Sequence, residues 1–158
     1  MIIAPATIVD AAEILALQKL AYVSEAEIYG DFSIPPLLQT LPQIQADFAS
    51  HVFLNACQDG VILGSVRGLM QGDTCLVGRL IVRPDARRQG LGTGLMLAIE
   101  QSFTQARRHE LFTGHKSEGN LRLYERLGYR VFDSKPVNDK LTLVFLEKTR
   151  AKSSGTVG

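Results

Sequence analysis

The segment from residue 80 to residue 95, LIVRPDARRQGLGTGL, constrains the fold more than any other part of the sequence. Its apolar start is typical of a strand, and Pro84, which has no N–H for a sheet ladder, ends that strand. A basic, glycine-rich turn follows, and apolar residues at helical spacing begin directly after it. The segment therefore predicts a strand, a tight turn and a helix that share one ligand site.

The turn has the features of an anion site. Its three glycines leave the backbone open to close approach by a ligand. Backbone N–H groups at the start of a helix lack intrahelical partners and carry partial positive charge. Arg83, Arg87 and Arg88 add formal charge around the turn. This combination suits a pyrophosphate.

Residue spacing alone leaves the identity of the ligand open. A Walker loop needs Gly-Lys-Ser/Thr, and no lysine follows these glycines. A dinucleotide fingerprint needs G-x-G-x-x-G, whereas this turn has G-x-G-x-G and follows an antiparallel-looking meander. The remaining alternative is a glycine-rich turn with surface arginines and no ligand.

Periodicity and turn signals predict the other elements along the chain. Asp59-Gly60 is a strong hairpin signal, Pro35-Pro36 indicates a loop over residues 32–41, and Gly128 suits the end of a helix. Helices are predicted at residues 10–26, 40–48, 91–107 and 120–127. Strands are predicted at residues 1–7, 51–58, 61–70, 74–83, 110–114, 129–133 and 140–147. We expect a single domain over residues 1–150 and a flexible C-terminal tail over residues 151–158.

Composition excludes several classes of protein. Of the 158 residues, 46% are hydrophobic and 21% are charged, which is the balance of a folded globular chain rather than a disordered or collagen-like one. Cys57 and Cys75 are too few for a metal set and share no ligand spacing, so no metal site is expected. No apolar run approaches the roughly 20 residues of a membrane span, and the N-terminus has no secretory pattern. We therefore expect a cytoplasmic protein.

The net charge of +1 hides an asymmetry between the two halves of the chain. Residues 1–78 carry two basic and eight acidic side chains, whereas residues 79–158 carry fifteen basic and eight acidic ones. This division suggests two ligand ends of opposite charge. The alternative is a random scatter of solvated charge. Basic and aromatic residues are not interleaved as they are in single-strand binders, so no nucleic acid is expected.

Two motifs resemble one family. The pattern Leu80-x-Val82-x-Pro84-x-x-Arg87-x-x-Gly90-x-Gly92 resembles the acetyl-CoA motif of the GNAT superfamily of N-acetyltransferases. Downstream, the sequence NLRLYERLGY at residues 120–129 resembles that family's second signature, N…LYxxxGF/Y, with a shorter interval after the asparagine than many members have. The order of elements is also similar, from residue 1 to about residue 149. The resemblance implies an α/β (α+β) fold with a mixed, mostly antiparallel central sheet, flanking helices and a splayed strand pair that holds acetyl-CoA.

The resemblance also implies roles for individual residues. The backbone of residues 80–82 would pair with the pantetheine, the Val82 N–H would stabilise the thioester oxyanion, and Asn120 would bond the pantetheine. Tyr124 would be the general acid for the CoA thiolate; its alternative role is a core tyrosine that packs the short helix. The implied acetyl-CoA-binding residues are Leu80, Ile81, Val82, Arg87, Arg88, Gln89, Gly90, Leu91, Gly92, Thr93, Gly94, Asn120 and Tyr124.

The acceptor side is less defined. The family usually builds its acceptor pocket from the acidic half of the chain, and the implied residues there are Glu25, Glu27, Tyr29 and Asp31. A general base could come from a carboxylate of that group, from His115 or from His51, and the sequence does not choose among them. Cys75 has no basic neighbour in sequence and is expected to be a small core residue rather than a nucleophile.

The implied function is direct transfer of the acetyl group of acetyl-CoA to a primary amine of a small molecule or peptide in a ternary complex. We expect a cationic acceptor, because the acidic half would attract one. The alternatives are a non-catalytic acyl-CoA-binding sensor or regulatory module of the same fold and, third, an enzyme for another donor such as succinyl-CoA. A homodimer is compatible with this interpretation, and neither a metal nor a membrane is expected to take part.

Overall fold

A computed structural model describes residues 1–150, so the predicted tail at 151–158 lies outside the described residues. No helix in this part of the chain is long and apolar enough to cross a bilayer. The helices are α1 (Ala11–Tyr29), α2 (Pro35–Leu38), α3 (Leu41–Asp47), α4 (Leu91–Ser102) and α5 (Glu118–Arg126). The strands are β1 (Ile2–Pro5), β2 (Val52–Gln58), β3 (Val61–Gln71), β4 (Thr74–Val82), β5 (Arg108–Gly114), β6 (Arg130–Pro136) and β7 (Thr142–Thr149).

The strands form a seven-stranded sheet in the order β1-β2-β3-β4-β5-β7-β6. Every neighbouring pair is antiparallel except β4 and β5, which run parallel. The predicted mixed, mostly antiparallel sheet flanked by helices is therefore confirmed. The assignment of residues 1–150 to a single domain stays a prediction.

The parallel strands β4 and β5 separate after a short stretch of pairing. Their register joins only residues 74–76 of β4 to residues 108–110 of β5. Beyond that point β4 stays paired with β3 as far as Val82, and β5 stays paired with β7 as far as Gly114. The sheet thus has a gap between the C-terminal halves of β4 and β5.

The core is divided between the two faces of the sheet. Phe53 of β2 packs with Ile14 of α1 and with α3 on one face, whereas its neighbour Leu54 packs with Leu95 and Ile99 of α4 on the other. This division follows from the strand backbone, because successive side chains point to opposite faces. The gap between β4 and β5 lies between these two helical layers.

Helix α1 is longer than the apolar periodicity predicts. Instead of ending near Ala26, it continues to Tyr29 and stops at Gly30, whose φ of 61° is the left-handed conformation of a helix end. Glu27 and Tyr29 consequently belong to the helix.

Two other predicted boundaries are wrong for local reasons. The prolines of the predicted loop begin the short helix α2, because the fixed φ of proline fits the first turn of a helix. Helix α4 ends at Ser102 rather than at residue 107, because Phe103 leaves the helical region with φ −127° and ψ 59°.

Candidate active site

The end of β4 presents unpaired backbone to the gap. Val82 lies opposite Gly64 of β3, and the next N–H, that of Arg83, donates to Leu63 O of β3 at 2.7 Å. Successive N–H groups of a strand point to opposite edges, so the Val82 N–H points away from β3 and into the gap. Within residues 1–150 no strand pairs with β4 there, because the register with β5 stops at Leu76. A backbone donor is therefore free for a ligand.

The glycine turn lies directly beyond this strand end. Gly90 caps α4 with a φ of 79°, which glycine adopts without strain, and Arg88 also has a positive φ, of 66°. A Cβ atom at Gly92 would lie 3.3 Å from Leu123 Cδ2. The missing side chain keeps the first turn of α4 open, so its N–H groups stay accessible to an anion.

The arginines of the turn are placed differently from one another. Arg87 Nη2 donates to Ala21 O at 3.2 Å and lies 3.4 Å from Ser24 Oγ, which ties the turn to α1. Arg83 forms a partly exposed ion pair with Asp85 at 2.9 Å. Arg88 is exposed and has no ion pair within residues 1–150, so it is the more available of the two predicted phosphate-binding arginines.

The other predicted acetyl-CoA residues are contiguous with this turn. Ile81 and Leu91 are buried in the two cores, so they offer only backbone to a ligand. Gln89 is exposed, whereas Leu80, Thr93 and Gly94 are half-buried. The structure thus brings the predicted donor-side residues of β4 and α4 together around one turn.

Tyr124 of α5 is 6% exposed and packs edge-on against Tyr129, with 6.1 Å between the ring centroids. Its hydroxyl makes no hydrogen bond within residues 1–150. Burial, and then the neighbouring Tyr22 and Glu25, raise the pKa of the Tyr124 phenol. The hydroxyl is thus protonated and uncommitted, with a carboxylate nearby.

A hydrogen-bonded network converges on Glu25. The Lys116 N–H donates to Tyr29 Oη at 2.9 Å, and Tyr29 Oη lies 2.8 Å from Ser117 Oγ. Ser117 Oγ donates to Glu25 Oε1 at 2.9 Å, and Asn120 Nδ2 donates to the same oxygen at 3.2 Å. Because a serine hydroxyl has one proton, Ser117 accepts from Tyr29 while it donates to Glu25. The network holds the half-buried carboxylate in place at the start of α5.

The network changes the expected role of two residues. Asn120 uses its amide nitrogen on Glu25 and on Thr113 Oγ1, at 3.3 Å, which leaves its amide oxygen for any further partner. Tyr29 is 5% exposed, and a Cβ atom at Gly114 would lie only 2.0 Å from Tyr29 Oη. Tyr29 therefore supports Glu25 through Ser117, and its part in an acceptor pocket stays a prediction.

The remaining acidic acceptor candidates are not assembled with Glu25. Glu27 is exposed on α1, and its side chain takes part in no hydrogen bond or ion pair within residues 1–150. Asp31 Oδ1 accepts from the backbone N–H and the hydroxyl of Ser33, at 2.8 and 2.5 Å, in a local turn. Of the predicted acceptor carboxylates, the structure brings only Glu25 to Tyr124.

The two histidines proposed as bases are less well placed. His115 is exposed, and its Nδ1 accepts from the Thr142 N–H at 3.0 Å. His51 lies between α3 and β2, where burial, and then the charge of Arg67, lower its pKa. Neither imidazole is among the groups that raise the pKa of Tyr124.

Cys75 is fully buried, and burial raises its thiol pKa to about 11, so it stays a core thiol as predicted. Within the described residues, no three His, Cys, Asp or Glu side chains form a group that could hold a metal ion.

Sequence reasoning missed Ser117, Thr113 and Tyr22. Ser117 precedes α5 and is 4% exposed, yet nothing in its sequence context distinguishes it from a surface serine. Tyr22 is a half-buried residue of α1 whose phenol pKa is raised by burial, lowered by Arg79 and raised by Glu25. Only the periodicity of α1, which puts residues 22, 25 and 29 on adjacent turns, could have connected it to the site.

The sequence model of the acetyltransferase (GNAT) family matches residues 14–129. A curated relative, UPF0157 protein YqkA of Bacillus subtilis, is 30% identical over 120 residues, which are 76% of this chain and 34% of that protein. The chain therefore spans about a third of the length of that relative.

Solved structures share the fold at low sequence identity. An acetyltransferase of the GNAT family from Streptococcus pneumoniae has a TM-score of 0.74 and 19% identity, over 94% of this chain and 99% of that one. The PaiA N-acetyltransferase of Thermoplasma acidophilum, solved with coenzyme A, has a TM-score of 0.68 and 18% identity, over 95% and 100%. The ribosomal-protein-S18-alanine N-acetyltransferase of Escherichia coli has a TM-score of 0.77 and 15% identity, over 94% and 92%. By its family match and its fold, the chain belongs to the GNAT family of acetyltransferases.

Proposed function

We propose that this protein transfers the acetyl group of acetyl-CoA to a primary amine of a small molecule or peptide, by direct attack in a ternary complex. The observation that carries the proposal is the free N–H of Val82, which faces the gap between β4 and β5 beside the glycine turn. A thioester carbonyl placed there would meet a preorganised donor, the arrangement that stabilises an oxyanion.

The donor side supplies backbone rather than side chains. The pyrophosphate of acetyl-CoA would bind the turn at residues 87–94, where the first N–H groups of α4 are open and Gly92 has no side chain. The pantetheine would lie along residues 80–82 in the gap, as an added strand would. The similar structure from Thermoplasma acidophilum contains coenzyme A, which supports acetyl-CoA as the donor.

Tyr124 is suited to give a proton to the leaving thiolate. The amine nitrogen bonds to the acetyl carbon, the carbon–sulfur bond breaks, and the electron pair leaves on the CoA sulfur. That sulfur takes the phenolic proton of Tyr124. Because burial raises the pKa of the phenol, the proton is present throughout the physiological pH range. Burial also raises the proton affinity of a thiolate in the same low-dielectric site, which favours the transfer.

Glu25 is the best supported general base. The attacking amine must be neutral, and its proton must leave as the carbon–nitrogen bond forms. The Glu25 carboxylate is half-buried, held by Ser117 and Asn120, and close enough to Tyr124 to act on its phenol. It would take the proton directly or through one water and would attract an amine that is cationic when free in solution.

A panel of acetyl-CoA with primary amines tests the proposed function. Release of free CoA thiol is followed with amino acids, polyamines, aminoglycosides and peptides, and acetylated product is identified by mass. We expect amine-dependent thiol release by the parent protein. Tyr124→Phe should release thiol more slowly. Its matched control is Tyr129→Phe, because Tyr129 is also a buried tyrosine, and its hydroxyl donates to Glu100 at 2.8 Å in the core.

Tight binding of CoA with no amine-dependent release above the uncatalysed rate would favour the sensor module instead. A faster reaction with succinyl-CoA than with acetyl-CoA would keep the mechanism and change the donor.

A further inference from the structure

A cavity of about 350 Å³ lies between the α2–α3 segment and β4, a size typical of small-molecule sites. Its lining includes apolar and neutral polar side chains and a single charged group. The lining residues are Ser33, Pro35, Leu38, Gln39, Gln43 and Arg79. None of them belongs to the acetyl-CoA turn.

The charged group, Arg79, has no anionic partner. Its Nη1 donates to the neutral Oε1 of Gln39 at 3.0 Å, and within residues 1–150 no carboxylate oxygen lies within 4.0 Å of its guanidinium. The nearby Arg67 differs, because it pairs with Asp47 at 2.6 Å. A guanidinium has five N–H donors and stays charged, so most of the capacity of Arg79 is open.

The backbone of β4 is irregular where it presents this side chain. Arg79 has a φ of 49°, which is left-handed, and the register between β3 and β4 shifts between Ser65 and Arg67 opposite it. For a residue with a Cβ this conformation costs roughly 1–2 kcal/mol. A bulge of this kind re-aims a side chain, here towards the cavity and not along the sheet.

A second layer of hydrogen bonds fixes Gln39, the neutral partner of Arg79. The fully buried Gln18 donates to Gln39 Oε1 at 2.9 Å, and Gln39 Nε2 donates to Asp47 Oδ2 at 2.8 Å. Asp47 in turn holds Arg67. Since both ends of the Gln39 amide are occupied, the guanidinium of Arg79 is held in one position.

The cavity and the proposed reaction site both border α1, through Gln18 at Gln39 and through Glu25 at Ser117. The charges of Arg79 and of Glu25 both act on the Tyr22 phenol, and Tyr22 acts on that of Tyr124. Gln18, which donates to Gln39 beside Arg79, lies one turn before Tyr22 on α1, and Glu25 lies about one turn after it. An acceptor that bridged Arg79 and Glu25 would have an anionic end at Arg79 and its amine at Glu25.

We propose that the acceptor is an amino acid or a similar amino carboxylate, and that Arg79 binds its carboxylate in the cavity between α2, α3 and β4. The inference rests on the proposed acetyl transfer and adds the substrate class. A planar carboxylate fits the fork of a guanidinium in a bidentate way. A phosphate dianion would need more positive charge than one arginine, and Arg67 is already neutralised by Asp47.

A structural role for Arg79, as a tie between β4 and the α2–α3 segment, is the competing explanation. That role needs only the hydrogen bond to Gln39. Arg79→Gln keeps a side chain that can reach an amide and removes the charge. Arg79→Lys keeps the charge and loses the bidentate fork.

The test compares amino acids with their carboxamides as acceptors for the parent protein, Arg79→Gln and Arg79→Lys. For the parent we expect kcat/KM at least about tenfold higher for the best amino acid than for its amide, mostly through KM. Arg79→Gln should lower kcat/KM for the amino acid by about tenfold and for the amide by less than about twofold. For the amino acid, kcat/KM of Arg79→Lys should lie between the values for the parent protein and for Arg79→Gln. Equal use of acid and amide by the parent, equal losses for both with Arg79→Gln, or a preference for aminoalkyl phosphonates would overturn the proposal.

A calorimetric titration of the same amino acids into the CoA complex separates this inference from the proposed function. Binding that needs Arg79, without turnover of any amine, would support the carboxylate site and contradict acetyl transfer. If amines are turned over, and the parent protein and the Arg79 variants do not differ in amino-acid binding or kinetics, acetyl transfer is supported and the carboxylate site is contradicted.

Discussion

The proposed donor side and the proposed acceptor side of the gap are built in different ways. The donor side consists of contiguous residues from the end of β4 to the start of α4, and it offers mainly backbone N–H groups. The acceptor side consists of side chains from α1, the α2–α3 segment, β4 and the start of α5. There, Ser117 Oγ lies 2.9 Å from Glu25 Oε1, although the two residues are separated by 92 positions in the chain.

This difference has a physical origin. A nucleotide-like donor with a constant phosphate end can be held by backbone geometry, which glycines and a strand end determine locally. An acceptor that varies between proteins must be recognised by side chains, and these meet only after distant elements have packed. Changes on the donor side should therefore affect binding of any acyl-CoA, and changes on the acceptor side should affect the choice and activation of the amine.

The largest expected effect among the side chains is that of Tyr124→Phe, which removes one hydroxyl from the boundary of the two sides. We expect kcat to fall roughly 100-fold, or about 2.7 kcal/mol in the barrier, because general-acid catalysis contributes at least that much. The dissociation constant for CoA should change little, because the hydroxyl acts when charge develops on sulfur. Steady-state rates and calorimetry provide the measurement. A folded Tyr124→Phe within threefold of the parent would assign Tyr124 to core packing alone.

On the donor side, Gly92→Asp should weaken CoA binding at least about tenfold, or 1.4 kcal/mol. The new carboxylate would repel the phosphates, and its Cβ would crowd Leu123. Gly119→Asp is a matched control, since Gly119 is also the second residue of a helix and a Cβ there meets nothing within 4 Å. Unchanged calorimetric affinity in folded Gly92→Asp would remove the phosphates from this turn.

On the acceptor side, Glu25→Gln should lower kcat/KM for the amine by about tenfold, less than the usual contribution of a general base because water can take part of the proton's path. The KM for acetyl-CoA should stay nearly constant. Glutamine has the same shape, and its amide oxygen can still accept hydrogen bonds from Ser117 and Asn120, but it cannot take a proton. Glu27→Gln, an exposed change on the same helix, should have little effect. Equal effects of the two substitutions would show that general attraction of a cation, and not proton transfer, connects α1 to the reaction.

The smallest expected effect at neutral pH is on the free energy of unfolding, through the buried tyrosines. Burial raises the pKa of Tyr22, Tyr124 and Tyr129 above the ordinary phenol value of 10.0. Above pH 10 the unfolded chain loses these protons while the folded chain keeps them, so the free energy of unfolding should fall as pH rises beyond that value. Denaturant midpoints between pH 8 and pH 11 measure the slope, which should be shallower in Tyr129→Phe. An equal slope in Tyr129→Phe and in the parent protein would show that the raised pKa of Tyr129 does not contribute to this loss of stability.

The donor side could be predicted from sequence because its signals are local. The glycines, the proline that ends β4 and the helical spacing after them lie within sixteen residues, and the structure has the strand, turn and helix that they predict. The sheet topology was predictable through the family resemblance, including the separation of β4 and β5. The stop of α1 at Gly30 had a local signal as well, but the apolar periodicity outweighed it.

The acceptor side could not be predicted from charge counts, because most of the acidic side chains there have structural partners. Asp47 pairs with Arg67, Asp31 closes a turn with Ser33, and Glu13 accepts the Ile62 N–H at 2.9 Å. These carboxylates are held at separate places in the fold, so the negative charge of residues 1–78 is not gathered in one acceptor pocket. The expected cationic acceptor stays a prediction.

In the proposed mechanism the backbone N–H of Val82 polarises the thioester, and proline at that position tests this role most directly. Val82→Pro removes this N–H without removing a bond to β3, because the group faces the gap. Val82→Ala keeps the N–H and is the control. With acetyl-CoA saturating, we expect kcat of Val82→Pro to fall about 100- to 1,000-fold, the usual cost of losing one oxyanion donor, while Val82→Ala stays within about threefold. A folded Val82→Pro with the kcat of Val82→Ala would contradict the account.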